Sequence, residues 1–176
     1  MATDRRPGVG EIHHLTVGVS DMDAAIAFYR DGLGLRKTLD TEVDGDQFER
    51  LLRLPNGSRA RTVFLQGPSR VGQIELVHWQ VPGGESTPVR RPGGVGFVVV
   101  SFSVSHDDIW PIHARLVERG DAVWSDPEPS ELDGYGTIHA FIVEDPDGNM
   151  IEIVSLPSDE QIRALRDAPE VERNDT

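Results

Sequence analysis

Between residues 12 and 19 apolar and polar positions alternate. Leu15, Val17 and Val19 fall on one side of an extended strand, and His14, Thr16 and Gly18 on the other, with His13 pointing away from His14. The period then changes. After the cap residues Ser20 and Asp21, Met22, Ile26 and Tyr29 recur at i, i+4 and i+7, and Gly32 and Gly34 close the segment, which predicts a helix. Strands are expected at residues 61–66 and 73–79 and, from a weaker pattern, near 36–43; residues 48–54 fit a helical turn or a strand.

The same order returns further on. A β-rich run over residues 95–104 leads through Ser105 and Asp107, as caps, into a helix presenting Ile109, Ile112 and Leu116, with Pro111 in its first turn. Gly120 sits where a left-handed helix end is wanted. Strands are expected near residues 121–124, 136–143 and 149–155, the last two joined by Asp145-Pro-Asp-Gly148, a tight-turn sequence. Ser158-Asp-Glu160 opens a short helix over residues 159–166.

The halves are separated by residues 81–94, whose three prolines and four glycines continue neither a helix nor a central strand. The chain therefore divides into a polar tail (1–10), a first module (11–80), a Pro/Gly linker (81–94), a second module (95–156) and a C-terminal helix and tail (157–176). Each module reads β-α-β-β-β, so the expected class is α+β, with two modules related by duplication.

Composition narrows the partners. In 176 residues there are 17 Lys and Arg against 30 Asp and Glu, a formal charge of −13, and no cysteine. An acidic chain without a basic stripe is no nucleic-acid binder. Its apolar runs are too short to span a bilayer, and its first residues lack the apolar core of a secretory leader, so the expectation is a cytoplasmic protein without a membrane partner. Thiolate nucleophiles and Cys-type metal sites are excluded; any metal is held by nitrogen and oxygen.

Several motifs carry a resemblance. They are His13-His-Leu-Thr-Val-Gly-Val-Ser-Asp21, Ala27-Phe-Tyr-Arg-Asp-Gly-Leu-Gly-Leu35, Gln73-Ile-Glu-Leu-Val77 and Glu144-Asp-Pro-Asp-Gly-Asn-Met-Ile-Glu-Ile153. Together with the paired βαβββ modules, residues 11–156 resemble the vicinal oxygen chelate superfamily: glyoxalase I, methylmalonyl-CoA epimerase, extradiol dioxygenases and bleomycin resistance proteins. The resemblance implies two modules forming a curved mixed sheet around a cleft. It places a divalent metal (Zn, Mn, Fe, Co or Ni) on the first and last strands of each module, and it implies a homodimer acting on a small-molecule substrate. Carried over residue by residue, it marks His14, Glu75 and Glu152 as metal ligands. Aligning Val19-Ser-Asp21 with Val104-Ser-His106, an offset of 85 residues, puts Val99 where metal-binding members carry a second His.

On the residues alone, Glu75 between Ile74 and Leu76, and Glu152 between Ile151 and Ile153, fit the solvated face of a half-buried strand. Their repetition in both modules, with the resemblance, favours a shared cation, because a carboxylate buried among apolar neighbours without a partner is costly. His139 is expected on a strand bordering the cleft, where it and Val99 contact substrate; His78 lies on the face away from Glu75. Three readings follow. The first is a metal-dependent isomerase, epimerase or lyase that works through an enolate, with Glu75 or Glu152 as base. The second is an extradiol-type dioxygenase, which Val99 disfavours unless His139 or His78 substitutes. The third is a metal-free binder of a drug-like molecule.

Overall fold

The structure, a computed structural model, describes residues 9–84, 95–132, 136–157 and 163. The chain forms two compact units, Met1–Pro88 and Val89–Thr176. Of the sequence expectations, the tail at 1–8, most of the linker (85–94) and all of the C-terminal segment from 158 except Arg163 lie outside the described residues.

In the first unit β1 (His14–Gly18), β2 (Arg36–Asp44), β3 (Arg59–Gln66) and β4 (Gln73–Gln80) form a mixed sheet in the order β1-β4-β3-β2. β1 and β4 are parallel, with Thr16 opposite Glu75, and the remaining pairs are antiparallel. The crossover between strands is the helix α1 (Met22–Ile26), capped by the Asp21 carboxylate, which accepts the amides of Asp23 and Ala24. From Ala27 to Gly32 the turns widen to π-helix. Phe28 and Tyr29 are adjacent in sequence, yet both are buried, at 1% and 0% exposure; the widened turn carries both rings toward the sheet. On the sheet, Val17, Val63, Leu65, Ile74 and Leu76 are buried as well. Each such side chain adds about 1.5–3 kcal/mol by leaving water.

Residues 46–52 resolve the ambiguous stretch as a helix, α2 (Asp46–Leu52). Glu49 of α2 is buried, and its Oε1 accepts the amides of Gly57 and Ser58 at 2.6 and 3.2 Å. The helix thereby ties down the loop leading into β3. Residues 81–84 form a turn closed by the Gly84 amide on the Val81 carbonyl.

In the second unit β5 (Val99–Val104), β6 (Ala122–Val123), β7 (Glu128–Leu132), β8 (Gly136–Glu144) and β9 (Met150–Ser155) make a second mixed sheet, ordered β5-β9-β8-β6, with β7 also on β8. β5 and β9 are parallel, with Ser101 opposite Glu152. The helix α3 (His106–Arg119) seats Ile109 and Leu116, both fully buried, and ends on Gly120 at φ 79°. Two local expectations are corrected. The Ser105 hydroxyl donates to the Asp108 carboxylate and leaves the helix amides uncapped. Pro111 lies beyond the first turn, since the helix begins at His106, so one carbonyl of the helix lacks its amide partner there.

The second unit also has one strand more than expected. β6 and β7 lie along one edge of β8, pairing with residues 143–144 and 136–140. They occupy the place that the single strand β2 holds along β3. Pro127 falls between them, and β7, Glu-Pro-Ser-Glu-Leu, is exposed throughout. A strand held by backbone pairing alone has no hydrophobic alternation to betray it. The turn from β8 to β9 forms as expected: Asp145 accepts the amides of Asp147, Gly148 and Asn149, and Gly148 has φ 82°.

Candidate functional site

Strand parity sorts each sheet into two faces. In the first unit Arg61 reaches Asp23 of α1, so its cross-strand neighbour His78 is on the helix-covered face with Ile74 and Leu76. His14, Thr16 and Gly18 of β1, Glu75 of β4 and Phe64 of β3 share the opposite face. There His14 Nε2 lies 3.4 Å from Glu75 Oε2, and the Thr16 hydroxyl donates to the same oxygen at 2.5 Å. The Glu75 side chain is 18% exposed and that of His14 37%. The Phe64 ring meets the His14 ring edge-on, with centroids 5.3 Å apart, and holds its plane.

His13 departs from the expectation. Its Nδ1 lies 2.8 Å from the Nδ1 of His14, so one ring donates to the other. It stands just before β1, where strand alternation no longer dictates its side, and Gln73 Nε2 approaches its far nitrogen at 3.4 Å.

In the second unit the corresponding face carries Val99 and Ser101 of β5, Glu152 of β9 and Ile142 of β8. The Ser101 hydroxyl donates to Glu152 Oε2 at 2.5 Å. Val99, at the place of His14, is 40% exposed and pairs with the buried Met150.

His139 is corrected. Phe141 and Val143, which share its side of β8, are buried, and its own ring packs on His106 and Trp110 of α3, with centroids at 5.1 and 6.2 Å. It belongs to the helix-covered face, opposite Glu152, and its Nδ1 is buried without a hydrogen-bond partner among the described residues. His113 is also of that layer, against Phe141 and the Ser125 carbonyl.

The structure thus brings His14 to Glu75 in one unit and sets Glu152 at the equivalent register of the other. Within either unit, among the described residues, no group of three or more His, Asp or Glu side chains gathers around one point. The strongly perturbed carboxyl lies elsewhere: hydrogen bonds from Arg61 and Lys37 pull Asp40 down to about 2, and Asp40 in turn raises the Arg61 guanidinium. Sequence reasoning passed over Thr16 and Ser101 as partners of the glutamates. Their signal was available, since both share a face with His14 or Val99 and are 85 residues apart, from 101 − 16.

The family model described as Glyoxalase/Bleomycin resistance protein/Dioxygenase superfamily matches residues 11–153. The chain belongs to this superfamily. Among its relatives is an ethylmalonyl-CoA/methylmalonyl-CoA epimerase of Cereibacter sphaeroides, 29% identical over 82% of this chain and 97% of that one. A protein named as a probable lactoylglutathione lyase, of Synechocystis, is 27% identical over 82% of this chain and 95% of its own length. A solved glyoxalase family protein of Bacillus cereus has the same fold, with a TM-score of 0.68, 18% identity and coverage of 90% of this chain and 99% of that one. Among the described residues, no helix of this superfamily member is long and apolar enough to cross a membrane.

Proposed function

We propose that the protein is a divalent-metal-dependent isomerase or epimerase that moves a proton at a carbon beside a carbonyl. In this reading His14, Glu75 and Glu152 hold the metal, and Glu75 and Glu152 are also the proton-transfer groups. The observation that carries it is the approach of His14 Nε2 to Glu75 Oε2 at 3.4 Å, on the face of β1 and β4 away from the helix. Two donors bound at ~2.1 Å to one cation stand roughly 3–3.5 Å apart, so this pair fits a common metal. A mixed imidazole–carboxylate set suits Zn, Mn, Fe, Co or Ni. Bound there, such a cation supplies Lewis-acid polarisation of the substrate's carbonyl oxygen and offsets the charge of the enolate.

The chain's own residues do the rest. One carboxylate takes the proton from the α-carbon, and in an epimerisation a second proton-transfer group returns a proton to the same carbon. The ring of Phe64 packs edge-on against the β1 imidazole, which stands beside the Glu75 carboxylate. The names of the relatives support a small acyl thioester or related carbonyl compound as substrate, handled by an enzyme of the epimerase or lyase type. Two further parts of the reading are a homodimer, from the family resemblance, and a cytoplasmic setting, from the acidic, cysteine-free composition; sedimentation analysis tests the first.

The same geometry weighs against an extradiol-type dioxygenase. Val99 offers no nitrogen, and His78 and His139, the other imidazoles carried on strands, lie on the helix-covered faces of their sheets.

Protein purified without chelator, assayed for bound metal and for solvent-deuterium uptake at the α-carbon of methylmalonyl-CoA and of lactoylglutathione, tests the proposal. The expected result is stoichiometric metal and exchange with one of the two. Glu75→Gln and Glu152→Gln each lower that exchange by about 10²–10⁴-fold. Oxygen consumption with catechols, or ligand binding without metal or exchange, overturns it.

A further inference from the structure

Glu75 and Glu152 each meet a hydroxyl at one register. Thr16 stands directly opposite Glu75 in the β1–β4 pair, and Ser101 directly opposite Glu152 in the β5–β9 pair. In both units the hydroxyl donates to Oε2, in both at 2.5 Å. Among the described residues, nothing donates to Oε1 of either glutamate. The residue types differ, threonine in one unit and serine in the other, while the donor atom, the acceptor atom and the register are the same.

A glutamate on a strand needs such a contact if it is to act at a defined point. Its last torsion is broad and nearly two-fold, so an unrestrained carboxylate exchanges its two oxygens freely. One hydroxyl fixed by the strand beside it removes that freedom, and a hydrogen bond to an ionised acceptor is among the stronger kinds. We propose that Thr16 and Ser101 are positioning residues that lock the carboxylates of Glu75 and Glu152 by donating to Oε2, so that each carboxylate keeps one fixed orientation toward metal or substrate. The inference rests on the metal-dependent reading above and extends it to two residues that touch neither the metal nor the reacting carbon. In the first unit His14 Nε2 also stands 3.4 Å from that oxygen; in the second, among the described residues, the Ser101 hydroxyl is the one side-chain partner of Glu152.

The test compares Thr16→Val and Ser101→Ala with the hydroxyl-retaining Thr16→Ser and Ser101→Thr, with Thr16→Ala as a second deletion should valine disturb β1. Cobalt(II) affinity is read by calorimetry and visible absorption, α-proton exchange by deuterium uptake, and folding by thermal unfolding. Loss of either hydroxyl is expected to weaken cobalt binding and exchange by about 10–100-fold, the usual weight of an outer-shell partner. Thr16→Ser and Ser101→Thr are expected to restore both, with thermal midpoints close to wild type throughout. Hydroxyl-free variants that bind cobalt and exchange deuterium as wild type does overturn the inference and leave the metal-dependent reading standing. Lower thermal midpoints with unchanged cobalt affinity overturn it in the same way. Wild-type protein that neither binds cobalt nor exchanges deuterium overturns both.

Discussion

In the first unit Glu75 Oε2 receives the Thr16 hydroxyl and the flank of the His14 imidazole; in the second Glu152 Oε2 receives the Ser101 hydroxyl, and Val99 stands in place of the imidazole. The strand frames that position these groups are alike: a parallel pair of first and last strands, with hydroxyl opposite carboxylate. Around that frame the units diverge freely. One crossover is a five-residue helix widening into a π-turn, the other a 14-residue α-helix. One sheet edge is a single nine-residue strand, the other is split into two. What the two units share is a carboxylate held at a set register, and what they do not share is the nitrogen donor.

The largest expected effect tests whether the units are equally dependent on their layered cores. Phe28→Ala and Phe141→Ala each remove a nearly completely buried ring, one from the helical crossover and one from a sheet, and each is expected to cost about 3–5 kcal/mol in urea unfolding. A much smaller loss for one of them would mark that unit's helix layer as loosely packed.

Next comes the asymmetry itself. Val99→His gives the second unit the imidazole it lacks, at an exposed position beside the Glu152 strand. Cobalt affinity is expected to rise by at least the roughly 10–100-fold that an outer-shell partner is worth, and His14→Val to lower it by as much or more, both read by calorimetry. Equal affinity in wild type and Val99→His would count against Val99 bordering the proposed metal site.

The smallest effect concerns a feature of the first unit. Asp40, held near 2 by Arg61 and Lys37, has a lower value folded than its ordinary 3.8, so its contribution to stability is present above about 3.8 and is lost as pH falls toward 2. The pair is partly exposed, which limits the contribution to about 1 kcal/mol or less. Asp40→Asn is expected to flatten the fall in stability between those two values, measured by urea unfolding at stepped pH. An unchanged slope would assign acid sensitivity to other carboxylates.

Much of this was legible in the residues. The alternation of Leu15, Val17 and Val19 with His14, Thr16 and Gly18 sorted β1 into its two faces, and the same rule put Glu75 opposite Ile74 and Leu76. It served for His139 too, had Phe141 and Val143 been taken as the buried side of β8. Rules of this kind end where regular structure ends: His13, one residue outside β1, turned its ring to His14. β7 escaped because an exposed edge strand needs backbone partners rather than apolar side chains. The π-turn depends on seating two adjacent rings against a sheet that the local sequence does not contain.

The sequence by itself determined the β-α-β opening of each half, the absence of cysteine chemistry, and which residues of a regular strand share a face, because these follow from composition and from the two-residue period of a strand. Which residues meet was decided by the tertiary structure. Thr16 and Glu75 are 59 positions apart, and Ser101 and Glu152 are 51 apart. Only the pairing of the first and last strands of each unit, one register out of many open to chains of alternating pattern, sets hydroxyl against carboxylate and imidazole beside it.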